Sequence, residues 1–442
     1  MKKRIAVVGA GIAGLSCAYE LQKAGFEAVV FEREDNVGGR MWTRTKDGLD
    51  FDIGANFFVS CYNHTKGYSE ELGLSGAFKP MKSGRHYTFK QGKLCILSLA
   101  SIWSVLQFSS ISFKSRLKLL WFFARVGAKV SGLNFFDLST APAEMDSDNA
   151  YSYARQKIGD DVAEYLIDGF TSTYQFHRAD EISTTGMLAL AGLMANSREG
   201  FNMCHTTGEM KRIPSELAKR LKVRTYCPVT RVEARDGWVD VTAKGKTTKF
   251  DAVVLACTGD VSKMIYANPS EDQKNVLGAV KYASTINTSF KIPYGTLDGI
   301  SVVTVPFVEN RFISEYTNEA QKGIGRNGKS LVNVGLHEGF AKEIMKKKDK
   351  EVFELVKAEL VKVCPQLKGN GAVLENHDLQ RWNCAMPKFD HIYVSLVKAF
   401  WQKGQGDSKV YFCGDYMNTP WIEGGITCGK KVAAMIGHGF KS

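Results

Sequence analysis

The sequence predicts an α/β fold organised on a parallel sheet, and three adjoining features of its first residues predict it. Ile5–Val8 is a short apolar run suited to a strand buried on both faces. Gly9-x-Gly11-x-x-Gly14 follows at once, and Leu15–Ala24 reads as a helix closed by Gly25. Ala28–Phe31 is the next apolar strand, and it ends in an acid, Glu32.

Each part of this strand, turn, helix, strand and acid has a physical task. Gly9 permits a tight turn, Gly11 lets a pyrophosphate approach the backbone, and Gly14 lets helix and strand pack closely. The helix start offers free N–H groups and the positive end of the helix dipole to phosphate. Glu32 suits the hydroxyls of an adenosine ribose, with Arg33 beside it in the same site. A carboxylate there repels a 2′-phosphate, which argues against NADP.

Composition bounds the rest. The 442 residues suggest two or three domains, and 44% hydrophobic with 24% charged residues fit a globular chain. The net charge of +12 favours anionic ligands or surfaces. No aromatic-studded basic motif points to nucleic acid. Lys346-Lys347-Lys348 with Lys350 reads as a solvated helix face. The ten cysteines include no C-x-x-C pair, so no metal site is expected, and they suit buried thiols in a reducing compartment. The basic start, Met1 to Arg4, resembles a secretory signal, but the glycines after it fit the phosphate turn better.

The loop Glu34-Asp35-Asn36-Val37-Gly38-Gly39-Arg40 separates FAD from NAD. With it the chain resembles the glutathione-reductase-type FAD enzymes, in the branch of amine oxidases, protoporphyrinogen oxidases and carotenoid desaturases. The resemblance implies a Gly38-Gly39-Arg40 loop lying against the FAD pyrophosphate, where Arg40 would neutralise phosphate. It implies that Gly54-Ala55-Asn56-Phe57 passes beside the flavin ring. Cys227-Pro228-Val229-Thr230-Arg231-Val232 is similar to a family strand whose valine, here Val229, meets the adenine. Phe250–Thr258 is similar to another buried family strand. Val410–Tyr416 and Trp421–Gly429 resemble the C-terminal FAD motif. That likeness implies Gly414 and Asp415 at the pyrophosphate and ribityl chain. It also implies Glu423, Gly424, Gly425 and Ile426 at the start of a helix aimed at the flavin.

The implied architecture is a glutathione-reductase-type FAD-binding Rossmann domain interleaved with an α+β substrate domain. The FAD domain is expected at 1–75, 209–262 and 405–442. A helical substrate or membrane-contact region is expected at 76–208, and a mixed-sheet substrate region at 263–404. Spaced apolar residues predict helices over 112–130, 150–158, 162–170, 183–196 and one long helix over 339–363. Strands are predicted over 285–292, 301–305 and 330–336.

Within the branch, Arg85–Leu94 resembles a protoporphyrinogen oxidase segment whose arginine holds a substrate propionate, so Arg85 is the candidate carboxylate anchor. Trp382–Pro387 resembles another segment of that family. Trp421, directly before the Glu-Gly block, stands where amine oxidases carry an aromatic cage residue, with Trp382 and Phe57 as candidate neighbours. The implied function is a FAD-dependent oxidase or dehydrogenase that takes hydride from a C–H or C–N centre of a hydrophobic small molecule, in the manner of protoporphyrinogen oxidase. Dioxygen or a quinone would reoxidise it. A flavin amine oxidase, a carotenoid or terpenoid desaturase and a non-catalytic flavin-binding protein are the alternatives. No triad, metal cluster or general base stands out, and the eight histidines read as structural or surface groups. Leu94–Phe113 carries no charge and is followed by Arg116, Lys118, Trp121 and Arg125. This stretch is read as the wall of a substrate tunnel, a monotopic membrane contact or a spanning helix. The expected location is cytoplasmic, with peripheral attachment to a membrane.

Overall fold

The computed structural model describes residues 2–74, 78–80, 85–98, 102–130, 132–196, 202–206, 209–367 and 374–440. The expected domain boundary at 75/76, position 208 of the next boundary and residues 99–101 of the uncharged stretch lie outside the described residues.

The chain begins with β1 (Arg4–Val8), α1 (Ile12–Lys23) and β2 (Glu27–Phe31). An extended segment then reaches β3 (Arg85–Lys90) and β4 (Lys93–Leu97). Helices follow, chiefly α2 (Phe113–Val130), α3 (Gly169–Gln175) and α4 (Thr184–Asn196). Next come β5 (Lys222–Arg224) and β6 (Ala252–Leu255), then the long strand β7 (Tyr282–Pro293) and the meander β8 (Ile300–Thr304), β9 (Ile313–Asn318) and β10 (Lys329–Leu336). Two helices, α5 (Glu338–Ile344) and α6 (Asp349–Val363), precede β11 (Glu375–Pro387), β12 (Val410–Phe412) and α7 (Ile422–Gly439).

Five strands form a wholly parallel sheet in the order β5, β2, β1, β6, β12. Its central strands are buried along their length, which explains their unbroken runs of Val, Ile and Ala. Strands that lie side by side thus come from residues 4–31, 222–255 and 410–412. Helices α1 and α7 pack closely, because Gly429 presses against the backbone of α1 at Ala13 and Cys17.

The second sheet has seven strands in the order β11, β7, β10, β9, β8, β3, β4. Only the β8–β3 pair is parallel. One face carries Phe290, Ile313, Tyr316, Val332 and Val334, packed on α5 and α6 in a separate core. The other face turns to the cofactor-type domain: Asn287 and Trp382 both donate to the Ile53 carbonyl, at 3.1 and 2.7 Å.

The structure is α/β as predicted, with two local corrections. The single helix expected over 339–363 is broken at Met345–Lys348. Arg381 takes the carbonyls of Met345 and Lys347 at 3.0 and 2.7 Å, which replaces the helical hydrogen bonds those groups would otherwise receive. Among the described residues no helix is long and apolar enough to cross a membrane. The uncharged stretch instead ends a strand and then forms a short 3₁₀ helix at Ile102–Gln107, its serines bonding locally as Ser104 does to the Ser98 carbonyl at 2.6 Å.

Candidate active site

The turn between β1 and α1 is built as a phosphate cradle. Gly9 has φ +111°, and a Cβ there would lie 2.7 Å from the Ala256 carbonyl oxygen, so only glycine fits. A Cβ on Gly14 would press on the Gly9 carbonyl, whereas a Cβ on Gly11 would meet nothing within 4 Å. Gly14 thus closes helix on strand, and Gly11 borders open space at the N-terminus of α1. Gly38 donates to the Ala10 carbonyl at 2.8 Å and bridges Gly11, which lays the Gly-Gly-Arg loop along the same cradle.

Glu32 stands at the rim. Its carboxylate accepts from the backbone N–H of Ala10 at 2.8 Å and of Glu34 at 3.0 Å, leaving lone pairs for ribose hydroxyls. Arg33 departs from expectation: its side chain is 68% exposed and pairs with Glu34 at 2.9 Å, outside the cradle. Val229 begins the three-stranded sheet beyond β5, where the register shifts between Val229 and Arg231.

Arg40 is held differently from the expected phosphate contact. Its guanidinium donates to Asp415 at 2.9 Å and to the Ala385 carbonyl at 2.7 Å. Burial opposes its charge, but Asp415 overrides this and raises its pKa. Arg40 therefore ties the N-terminal loop to the C-terminal motif. Asp415 adjoins Gly414, whose N–H points to the Cys428 sulfur at 3.3 Å.

Glu423 is also corrected. It is buried and accepts from the N–H groups of His64 at 2.6 Å and Thr65 at 3.0 Å, and from the Thr65 hydroxyl at 2.6 Å. It caps the helix Asn63–Glu71 and fixes α7 to it, rather than facing the cradle. Gly424 has room for no side chain beside Thr419, Gly425 donates to the Trp421 carbonyl at 2.9 Å, and Ile426 is fully buried.

The segment after Asp52 runs between the two sheets. Ala55 N–H donates to the Arg40 carbonyl at 2.8 Å, and a Cβ on Gly54 would strike that same carbonyl. Asn56 donates to Thr317 at 3.2 Å and accepts from Lys322. Phe57 meets Tyr174 edge-on at 5.5 Å, and Tyr174 lies 6.2 Å from Trp421 and 4.7 Å from Phe170. These four aromatics form a wall. Trp382 is not part of it, because its ring N–H is anchored to Ile53.

Behind Phe170 and Trp421 lies a partly enclosed apolar cavity. Leu119, Phe122 and Phe123 of α2 and Met187, Leu190 and Met194 of α4 line it.

Arg85 is misplaced by the sequence reading. Strand alternation turns Arg85, Tyr87 and Phe89 toward the α5–α6 core, and Arg85 is exposed at the strand end. Its neighbour His86 takes the inward position, between Thr304 at 2.9 Å and Tyr174 at 3.2 Å. Burial lowers the His86 pKa to about 4, so its ring is neutral. Sequence reading missed Phe170, Tyr174, His86 and Lys322. Spacing along the chain does not mark them, because Phe170 and Tyr174 meet Trp421, and Lys322 meets Asn56, only through the fold.

A parallel sheet carrying a glycine cradle and an acid rim, beside an aromatic wall and an apolar cavity, defines a nucleotide-cofactor oxidoreductase. The chain belongs to the flavin-containing amine oxidoreductases, whose family model matches residues 12–436. It is 22% identical to the mitochondrial protoporphyrinogen oxidase of Nicotiana tabacum, over 98% of this chain and 93% of that one. It is 24% identical to the coproporphyrinogen III oxidase of Staphylococcus aureus, over 69% of this chain and 67% of that one. Among solved structures, cyclohexylamine oxidase from Brevibacterium oxydans superposes with a TM-score of 0.77 at 17% identity, over the full length of both chains. The protein is a FAD-dependent oxidoreductase.

Proposed function

We propose that the chain oxidises a hydrophobic small molecule of porphyrinogen type, which enters through the apolar cavity behind Phe170 and Trp421. The cavity carries this reading: its lining is almost wholly aliphatic and aromatic, and it ends on the wall that adjoins the Gly54–Phe57 segment. Bound FAD supplies a two-electron acceptor for hydride. Gly9, Gly11, Glu32, Gly38 and Gly39 would hold its adenosine and pyrophosphate. The Arg40–Asp415 pair would fix the cradle's two halves in register. Phe57, Phe170, Tyr174 and Trp421 orient the substrate and exclude water from the reacting carbon.

The cavity also has an outward side that favours delivery from a membrane. Trp103, Phe113 and Trp121 are 72, 64 and 59% exposed. They stand on the same elements whose inner residues, Val105, Leu119 and Phe122, line the cavity. Lys114, Lys118 and Arg125 lie among them, a mixture suited to an anionic lipid surface.

Amine oxidation is the second reading. The aromatic rings of Tyr174 and Trp421, 6.2 Å apart and tilted by 42°, offer π-faces to an alkylammonium group. The discriminating experiment mixes the FAD-loaded protein anaerobically with protoporphyrinogen IX, an amine panel or phytoene in detergent. Loss of flavin absorbance with the porphyrinogen is expected; loss with amines alone would transfer the assignment to the second reading, and loss with phytoene alone would overturn both.

A further inference from the structure

The apolar cavity holds a buried polar side chain that no step above uses. Gln175, the last residue of α3, lines it with Phe170, Thr171 and Trp421 and is 7% exposed. Among the described residues its carboxamide has no hydrogen-bond partner. Its polar neighbours in the lining are engaged elsewhere. Thr171, one turn earlier on α3, donates its hydroxyl to the Ile167 carbonyl at 2.9 Å. The Thr419 hydroxyl turns to the start of α7, where a Cβ on Gly424 would strike it. A buried carboxamide without a partner is costly unless a ligand satisfies it. The backbone on both sides of this face also departs from the ordinary helix. A π-helical stretch, Ala163–Asp168, leads into α3, and Phe176 ends it at φ +68°, where a bulky side chain is rarely found. Those costs bracket the residues that α3 gives to the cavity, and folds keep such strain at binding sites.

The rest of the lining indicates what that ligand carries. Among the described residues that line the cavity, none is ionisable. A carboxylate or an ammonium lodged there would lose its water and gain no counter-charge. The carboxamide offers N–H donors at Nε2 and an acceptor at Oε1. A hydroxyl can accept from Nε2 and donate to Oε1, and a ketone oxygen can accept from Nε2. A hydrocarbon answers neither atom.

We propose that Gln175 is a specificity residue of the cavity, and that the part of a ligand lodged there carries an uncharged oxygen, a hydroxyl or a carbonyl. The proposal rests on the reading that the substrate enters this cavity, and goes beyond it. The remainder of the lodged body is hydrocarbon, packed on Phe122, Leu190 and Met194. Charged groups of the ligand stay at the mouth, in water.

The test uses the FAD-loaded protein without oxygen and probes of one chain length: octane, 1-octanol, octanoate and octylammonium. Calorimetric titration compares the wild type with Gln175→Met, which keeps an unbranched side chain of similar volume and removes the hydrogen bonding. FAD content and the melting temperature, measured alongside, report whether the variant is folded. Octanol should bind the variant about five- to tenfold more weakly, the loss of a neutral hydrogen bond, while octane binds it at least as well as the wild type. Octanoate and octylammonium should bind the wild type at least about tenfold more weakly than octanol. The infrared carbonyl band of 2-octanone tests the wild type alone: bound, it should lie at lower wavenumber than in octane, as a hydrogen-bonded ketone does. Equal changes for octanol and octane in the variant would overturn the proposal, as would a ketone band at its hydrocarbon position or tighter binding of either ion. If porphyrinogen left the flavin oxidised while octanol binding still depended on Gln175, the porphyrinogen reading would fail and this one would stand. If porphyrinogen reduced the flavin while octanol bound wild type and variant alike, that reading would stand and this one would fail.

Discussion

Arg40 and Asp415, 375 residues apart in the chain, form an ion pair at 2.8 Å that joins the first and last segments of the cofactor site. The pair is part-buried, with the aspartate 13% exposed, so solvent screens it only partly. Removing one partner leaves the other charge unpaired next to the cradle.

Asp415→Asn should therefore cost about 1–3 kcal/mol of stability and weaken FAD binding about tenfold or more. Thermal melting of the FAD-free protein and a fluorescence titration with FAD check the two effects separately. An unchanged FAD affinity would show that the pair is not part of the site's framework.

Glu32→Ala should weaken both FAD and ADP, because ADP carries the ribose and pyrophosphate and lacks the flavin. The expected loss is about tenfold for each, from one charge-assisted acceptor. Calorimetric titration with the two ligands measures it. A loss confined to FAD would move Glu32 away from the ribose.

Trp421→Ala should retain FAD, since Trp421 faces the cavity and Phe135, Phe170 and Tyr174. It should raise KM for the hydrophobic substrate at least about tenfold through lost aromatic burial. Steady-state kinetics with the FAD content measured alongside decides this.

Low pH should destabilise the fold through three buried histidines. Burial lowers His86, His177 and His337 from the ordinary 6.5 to about 4 each. Unfolded histidines bind protons below 6.5, whereas these folded ones resist until about 4, so stability present above pH 6.5 is lost as pH falls toward 4. Melting temperatures across that range should fall steeply in the wild type and less steeply in His177→Gln.

Replacing Trp103, Phe113 and Trp121 together by serine should abolish sedimentation with phosphatidylglycerol vesicles and leave the melting temperature nearly unchanged. These side chains are largely exposed, so their loss removes little from the core. Sedimentation equal to that of the wild type would remove the membrane-delivery element.

The sequence made the cofactor half legible and the substrate half much less so. Gly9, Gly14 and Glu32 act through local backbone geometry, which spacing along the chain reports directly. Arg40 and Glu423 carry charges in the right motifs, but their partners, Asp415 and Thr65, are set by tertiary packing. Arg85 and His86 differ by one position on a strand, and that single step exchanges the core face for the cofactor face. Tyr174 and Phe170 sit on the short helix α3, whose wall-forming role depends on Trp421 arriving from the far end of the chain.

The most direct test of the whole account is the flavin spectrum of the purified, FAD-loaded protein mixed anaerobically with protoporphyrinogen IX. Loss of the oxidised-flavin absorbance in a single turnover is expected, slowed in Trp421→Ala. A flavin that stays fully oxidised with the porphyrinogen and every amine tested would contradict it.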